Sequence, residues 1–399
     1  MLYETARHES LQSKPWDSAV ASRTIERIYA DTVETFSDES LWPVHPLDWE
    51  GDAPPMNMLY LGAAGVIWAI QFLERVDAVD GKAHDFTPLW PTLFENNQSA
   101  LSMFNMGTAS YWMGDTGILL AQWLDDPSDT ITSALIKEIS SNTDHPALDF
   151  MWGAPGTMVA ALAMLERSQD EQFADLFRLS AKALWSSLEQ ADELDCKLWT
   201  QSLYGMQSKH VCAGHGFAGN VFPIISGRNL LAGTEWGQWR DVIIQTVTTT
   251  ALVEDDYANW PQSIGQARPG RTELLVQYCH GAPGMVTCLA DFPEASIDSL
   301  LVQAGELTWK AGPLTKGAGL CHGTAGNGYA FLKLYERTKD EVWLERARAF
   351  AMHAISQFEA HIEEYGRGRY SLWTGDQGLA VYLWSCLKAD HRFPTLDLF

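Results

Sequence analysis

Two short motifs of this 399-residue chain place a cysteine next to a histidine: CHGAPG at 279–284 and CHGTAG at 321–326. Thiolate and neutral imidazole are ligands that suit Zn²⁺. Neither motif has the C-x-x-C spacing of a zinc finger, but loops from separate parts of a chain can supply three ligands. A fourth coordination position then stays open for water or substrate, as a catalytic zinc requires. The duplicated motif therefore predicts a metal centre, and a purely architectural repeat is the alternative.

Both motifs belong to a longer series of glycine turns. Gly-x-x-Gly followed by a small or apolar run occurs seven times, with first glycines Gly62, Gly114, Gly153, Gly216, Gly281, Gly323 and Gly375. Amphipathic helical patterns lie between the turns, for example at 171–190 and 341–361. Apolar helices need burial on all sides, whereas amphipathic helices suit an outer layer. The repeat predicts an all-α fold, an α/α toroid with about seven inner and seven outer helices.

The glycine turns are expected at the starts of the inner helices, where unpaired N–H groups and positive dipole ends would line one rim. Three turns carry a histidine directly before the first glycine: His215, His280 and His322. Three cysteines without a histidine neighbour are predicted to pack in the core: Cys196, Cys288 and Cys386. Cys212, three residues before His215, is also expected in the core, with a thiol on the rim as the alternative. Histidines on the rim would stand beside the predicted metal.

Composition limits the classes of function. The net charge of −24 argues against sequence-independent binding to nucleic acid or to an anionic membrane. No secretory signal or uninterrupted apolar run of transmembrane length is visible. Six cysteines are few for this length, which indicates a reducing, cytoplasmic environment rather than a disulfide scaffold.

We expect one domain over residues 1–399. Residues 1–50 would supply an amphipathic helix at 18–36 and the start of a proline-rich loop that together close the ring. The loop at 41–57 is a candidate lid over the rim.

The segments YCHGAPG (278–284) and KGAGLCHGTAGNGYAFL (316–332) resemble the lanthionine synthetase C-like family, and the glycine turns extend the resemblance over nearly the whole chain. The resemblance implies an α/α toroid with one zinc ion per chain, held by Cys279, Cys321 and His322. His280 has a counterpart in some members but is not a ligand in the family.

The resemblance also implies roles around the metal. His215, in AGHGFAG, matches a histidine proposed as general acid or base, and Asp149, in LDFMWG, matches an acidic residue that assists at the site. Histidine titrates near neutrality, which suits that role, while a helix cap or a loop carboxylate is the alternative for Asp149. Lys316 resembles the lysine of eukaryotic-type members that bind glutathione. Arg367 and Arg369 are further candidate substrate-binding cations, with a solvated basic loop as the alternative.

The implied reaction is thioether formation by addition of a thiol, from a peptide cysteine or glutathione, to dehydroalanine or dehydrobutyrine on a peptide or protein partner. An arginine that precedes the first cysteine in the lantibiotic cyclases is not matched by ELLVQY (273–278), which favours a glutathione-type role. Two alternatives stay open. One is a zinc-containing protein that binds peptide or glutathione without turnover. The other is a carbohydrate-active toroid using Asp115, Asp376 and Glu273, which leaves the duplicated motif unexplained.

Overall fold

A computed structural model describes residues 2–51, 54–82, 84–102, 105–191, 194–265 and 274–399. These residues form fourteen α-helices and a few short strands. The chain divides into two compact units, one of Met1–Glu4 with Ala100–Lys310 and one of Thr5–Ser99 with Ala311–Phe399. No helix in the described ranges is long and apolar enough to cross a membrane. The single-domain expectation stays a prediction.

The first unit alternates inner and outer helices. Its inner helices are α4 (Asp115–Asp125), α6 (Ala154–Ser168), α8 (Phe217–Ser226) and α10 (Ala282–Leu289). The outer helices are α5 (Asp129–Ser141), α7 (Glu171–Ser186), α9 (Gly233–Thr250) and α11 (Asp298–Ala311), which ends one residue into the second unit. Helix α8 is buried along almost its whole length, whereas α7 buries one face. This difference follows from their apolar and amphipathic sequences.

The same unit contains short antiparallel strands in the connections. They are β1 (Glu189–Gln190), β2 (Lys197–Leu198), β3 (Gln201–Leu203), β4 (Met206–His210), β5 (Leu252–Glu254), β6 (Tyr257–Asn259), β7 (Ser263–Ile264), β8 (Val276–Gln277) and β9 (His280–Gly281). Strand β4 pairs with both β3 and β7, and the other strands pair as β1–β2, β5–β6 and β8–β9. These strands were not expected from the sequence, because segments of two to five residues are too short for a clear alternating pattern.

The second unit combines helices from the N-terminal and C-terminal parts of the chain. Its outer helices are α1 (Ser18–Thr35), α3 (Trp90–Leu101), which ends two residues into the first unit, and α13 (Glu341–Tyr365). The inner helices are α2 (Ala63–Arg75), α12 (Thr324–Thr338) and α14 (Asp376–Lys388). Helix α14 packs against α1 and α2, so the C-terminal helix contacts the N-terminal ones. The helix predicted at 18–36 is confirmed as α1.

The glycine turns have a steric cause. The first glycine of each turn is the N-cap of an inner helix. At six second glycines, a Cβ atom would approach the carbonyl oxygen of the residue six positions earlier within 3.0 Å: Gly65, Gly156, Gly219, Gly284, Gly326 and Gly378. Gly281 in addition has φ of +114°, which residues with side chains rarely adopt. Each loop can therefore fold back onto the first turn of its own helix.

Candidate functional site

The centre of the candidate site in the first unit is a carboxylate–imidazole pair. Nδ1 of His215 donates to Oδ2 of Asp149 across 2.6 Å, and the backbone N–H of Trp152 donates to Oδ1 across 2.9 Å. Asp149 is fully buried, while the His215 side chain is 20% exposed. A carboxylate at Nδ1 fixes the tautomer of a neutral imidazole and leaves Nε2 as the nitrogen that can exchange a proton with a substrate.

Two more imidazoles stand beside His215. The ring centroids of His210, His215 and His280 are 6.1 to 6.2 Å apart. Burial, and then the charges of His280 and His215, lower the pKa of His210 to about 4. His210 is therefore neutral at physiological pH, with Nε2 bonded to Ser208 Oγ at 2.6 Å and Nδ1 to the carbonyl of Gln262 at 3.3 Å. His210 was not among the predicted site residues, although it lies only five residues before His215.

Cys279 is tied to the turn that carries His215. The N–H of Gly214 donates to the carbonyl of Cys279 across 3.0 Å, and a Cβ on Gly214 would meet the Cys279 Cβ at 3.1 Å. The Gln277 side chain donates to Cys279 Sγ across 3.0 Å. A donor aimed at sulfur stabilises the negatively charged thiolate, which is the form that binds metals.

Cys321 and His322 belong to the loop that begins α12. The N–H groups of Leu320 and Cys321 donate to the carbonyl of Trp373 at 2.9 and 2.8 Å, which fixes the loop against the turn before α14. Cys321 is buried, and His322 is partly exposed. Within the described residues, the His322 ring makes no hydrogen bond to another group.

The residues predicted as metal ligands form one group. The ligand atoms of Cys279, Cys321 and His322 all lie within 4.8 Å of one another, and no other group of three or more histidine, cysteine or acidic residues in the described ranges meets this criterion. A donor set of two thiols and one imidazole is of the type that suits zinc.

The remaining cysteines pack in the core, as predicted. Cys196, Cys212, Cys288 and Cys386 are buried free thiols. Burial raises the pKa of Cys212 and of Cys386 to about 12, so both stay protonated near neutral pH. They are packing residues rather than ligands.

The three predicted substrate-binding cations lie in different surroundings. Lys316 is exposed and makes no ion pair with the described part of the chain. Nη2 of Arg367 donates to the carbonyl of Val44 across 3.1 Å. Arg369 is buried and forms a bidentate pair with Asp48, with Nε to Oδ2 at 2.9 Å. Both arginines thus hold part of the proline-rich loop, while Lys316 remains accessible to solvent.

Two carboxylates of the carbohydrate alternative lie at the starts of helices. Asp115 and Asp376 are the first residues of α4 and α14, and both are buried there. Burial raises the pKa of Asp376 to about 7, and its Oδ2 accepts the backbone N–H of Arg369 at 2.7 Å. Glu273 lies outside the described residues, as do residues 52 and 53 of the candidate lid.

Inner helices that each begin at a glycine turn, alternating with outer helices, define the class of α/α toroids. The sequence profile of the lanthionine synthetase C-like protein family matches residues 54–398. The chain belongs to this family. The predicted all-α toroid is confirmed by similarity to the solved structure of nisin cyclase, with a TM-score of 0.58 and 16% identity over 92% of this chain and 94% of that one.

Two curated relatives match over part of their length. The glutathione S-transferase LANCL1 of Danio rerio is 32% identical over 197 residues, which are 48% of this chain and 47% of that protein. The LanC-like protein GCL1 of Arabidopsis thaliana is 41% identical over 151 residues, 35% of this chain and 33% of that protein. The chain thus spans about half of the first relative and a third of the second.

Proposed function

We propose that this protein forms thioethers by adding a thiol to dehydroalanine or dehydrobutyrine in a peptide or protein, with one zinc ion per chain. The observation that carries the proposal is the ligand group of Cys279, Cys321 and His322, together with the Asp149–His215 pair. A metal site suited to thiols and a positioned acid–base residue are the two parts that such an addition needs.

The reaction adds S–H across a carbon–carbon double bond. The thiol loses its proton, sulfur forms a bond to the β-carbon, and the π electrons move onto the α-carbon and its carbonyl as an enolate. A proton then bonds to the α-carbon, so nothing is oxidised, reduced or released. A zinc ion held by the three ligands would lower the pKa of the incoming thiol. In our proposal, Nε2 of His215 delivers the proton to the α-carbon.

Asp149 supports His215 in this scheme. Its carboxylate accepts from Nδ1 and would stabilise the imidazolium that precedes proton delivery. His210 is neutral through burial and contributes no competing positive charge of its own. With Asp149 as its partner, the partly exposed His215 is the residue that we expect to gain and lose one proton in the reaction.

The thiol can be a peptide cysteine or glutathione. The name of the Danio rerio relative, a glutathione S-transferase, supports glutathione, and the name of nisin cyclase supports a peptide cysteine. Lys316 is accessible and could bind a carboxylate of glutathione. We infer glutathione as the thiol and a dehydroamino-acid-bearing peptide as the acceptor. All six cysteines are free thiols, which agrees with the cytoplasmic location that we propose.

Zinc content is the first test. We expect one zinc ion per chain in the wild type and in the control Cys196→Ala, which alters a buried cysteine outside the ligand group. We expect almost none in Cys321→Ala. A folded wild type that takes up no zinc would refute the metal centre.

The second test incubates the protein with a dehydroalanine peptide and glutathione and measures the adduct by mass spectrometry. The expected product has the summed mass of both reactants. Zinc retained in the wild type without any adduct, with peptide cysteine thiols tested as well, would instead favour a protein that binds such ligands without turnover.

A further inference from the structure

The β3–β4 hairpin presents an aromatic side chain at its tip. Tyr204 and Gly205 are the two residues between β3 and β4, and both have positive φ, 52° and 75°. Such values at both positions are those of the two-residue turn that suits a twisted hairpin. The turn leaves Tyr204 53% exposed, and Met206, the first residue of β4, is 45% exposed. Two large apolar side chains at one exposed tip contribute little to the core.

The exposed tyrosine is nevertheless held in one position. The buried indole of Trp152 donates from Nε1 to the Tyr204 hydroxyl across 2.8 Å, and the two rings meet edge to face at 6.3 Å. The sulfur of Met151 lies 4.0 Å from the same hydroxyl. A side chain that is already ordered loses little conformational entropy when a ligand packs on it.

The hairpin is attached to the segment that carries Asp149. The N–H of Ser202 donates to the carbonyl of Pro146 at 3.2 Å, and the Gln201 side chain donates to the carbonyl of Leu148 at 3.3 Å. Desolvation of its hydroxyl raises the pKa of Tyr204, and the charge of Asp149 raises it further. Tyr204 therefore lies within electrostatic reach of that carboxylate.

Strand β4 links the hairpin tip to His215, the partner of Asp149. It runs from Met206 to His210 and ends beside the rings of His215 and His280. One face of the hairpin thus begins at an apolar tip and ends at the histidines. A peptide whose reactive residue reaches His215 would extend along this face.

We propose that Tyr204 is a specificity-determining residue that, with Met206, packs against an apolar side chain next to the dehydroamino acid of a peptide substrate. The inference rests on the proposed function and names its substrate class: peptides with an apolar neighbour, rather than free dehydroamino acids. Glutathione is small and charged and gains little from packing on Tyr204 and Met206. Its binding is therefore expected not to depend on Tyr204.

The test compares two dehydroalanine peptides that differ only in having leucine or serine beside the reactive residue. With glutathione fixed, Tyr204→Ala is expected to raise KM for the leucine peptide about tenfold, with kcat within about twofold. The KM for glutathione should not change. Tyr204→Phe keeps the ring but loses the hydrogen bond to Trp152, so its KM for the leucine peptide should lie between those of the wild type and Tyr204→Ala. Leu252→Ala, an exposed apolar residue of the β5–β6 hairpin, is the matched control and should change nothing.

An unchanged KM in Tyr204→Ala would overturn the inference. So would a fall in kcat alone, which would mean that Tyr204 acts only through Trp152 on Asp149. A binding measurement tests the packing surface of Tyr204 and Met206 even without turnover. It uses the leucine peptide with alanine in place of dehydroalanine and measures binding by fluorescence anisotropy. The wild type could form no thioether but bind this peptide about tenfold more tightly than Tyr204→Ala does. That result would refute the proposed reaction and support the role of Tyr204 in binding the apolar side chain.

Discussion

Asp149 and His215 are 66 residues apart in the chain, yet Oδ2 of one lies 2.6 Å from Nδ1 of the other. The carboxylate is also fixed from its other oxygen by the N–H of Trp152. Held from two sides and fully buried, it has one orientation, and that orientation sets which nitrogen of His215 faces the substrate.

Asp149→Asn should slow thioether formation by roughly 10²- to 10⁴-fold, because the amide cannot stabilise the imidazolium and can favour the wrong tautomer. Zinc content should stay at the wild-type value, since the ligand group does not include Asp149. Single-turnover rates measured beside metal analysis check this. Asp175→Asn, an exposed aspartate on α7, is the control. If Asp149→Asn reacts within threefold of the wild-type rate, the Asp149–His215 pair does not take part in the reaction.

Lys316→Ala should raise KM for glutathione about tenfold and leave stability unchanged, because the ammonium group is exposed and makes no ion pair with the described residues. The effect should shrink as salt is added, since screening weakens an exposed charge interaction. Steady-state kinetics at two ionic strengths check this, with the exposed Lys82→Ala as control. Equal KM values in both variants would exclude Lys316 from glutathione binding.

Gly326→Ala should lower the free energy of unfolding by more than about 2 kcal/mol, because its Cβ would overlap the carbonyl oxygen of Leu320. Gly237→Ala in α9 is the matched control, with nothing within 4 Å of the new Cβ. That change should raise stability by about 0.5 kcal/mol through helix propensity. Denaturant unfolding of both variants measures the contrast. Similar stabilities would mean that the loop before α12 can move aside without cost.

Asp376 should make stability depend on pH. Burial raises its pKa in the folded chain to about 7, above the ordinary value of 3.8, so the folded state keeps a proton that the unfolded state releases. The free energy of unfolding should therefore fall as pH rises from about 4 to 7 and level off above that. Asp376→Asn should remove about 3 kcal/mol of this fall between pH 5 and pH 8. The free energies of unfolding of the wild type and Asp376→Asn could instead differ by the same amount at every pH. That result would show that Asp376 is ionised in the folded protein.

Much of the fold could be predicted from local sequence. Each first glycine of the seven turns proved to be an N-cap, and the helices predicted near 18–36, 171–190 and 341–361 are α1, α7 and α13. These features follow from periodicity and from the backbone space that glycine leaves, both of which are local properties. The metal-ligand residue types were equally visible, since Cys279 and Cys321 each stand beside a histidine.

The site beyond those motifs depended on contacts that sequence spacing does not encode. His210 entered the histidine cluster through pairing of β4 with β7, and Arg369 was drawn into a buried pair with Asp48, 321 positions away. Tyr204 meets Trp152 because a two-residue turn folds β3 back on β4. The sequence by itself determined which helices form and which residues could hold a metal. The tertiary structure alone decided which side chains meet, because burial and long-range hydrogen bonds arise only once distant segments pack together.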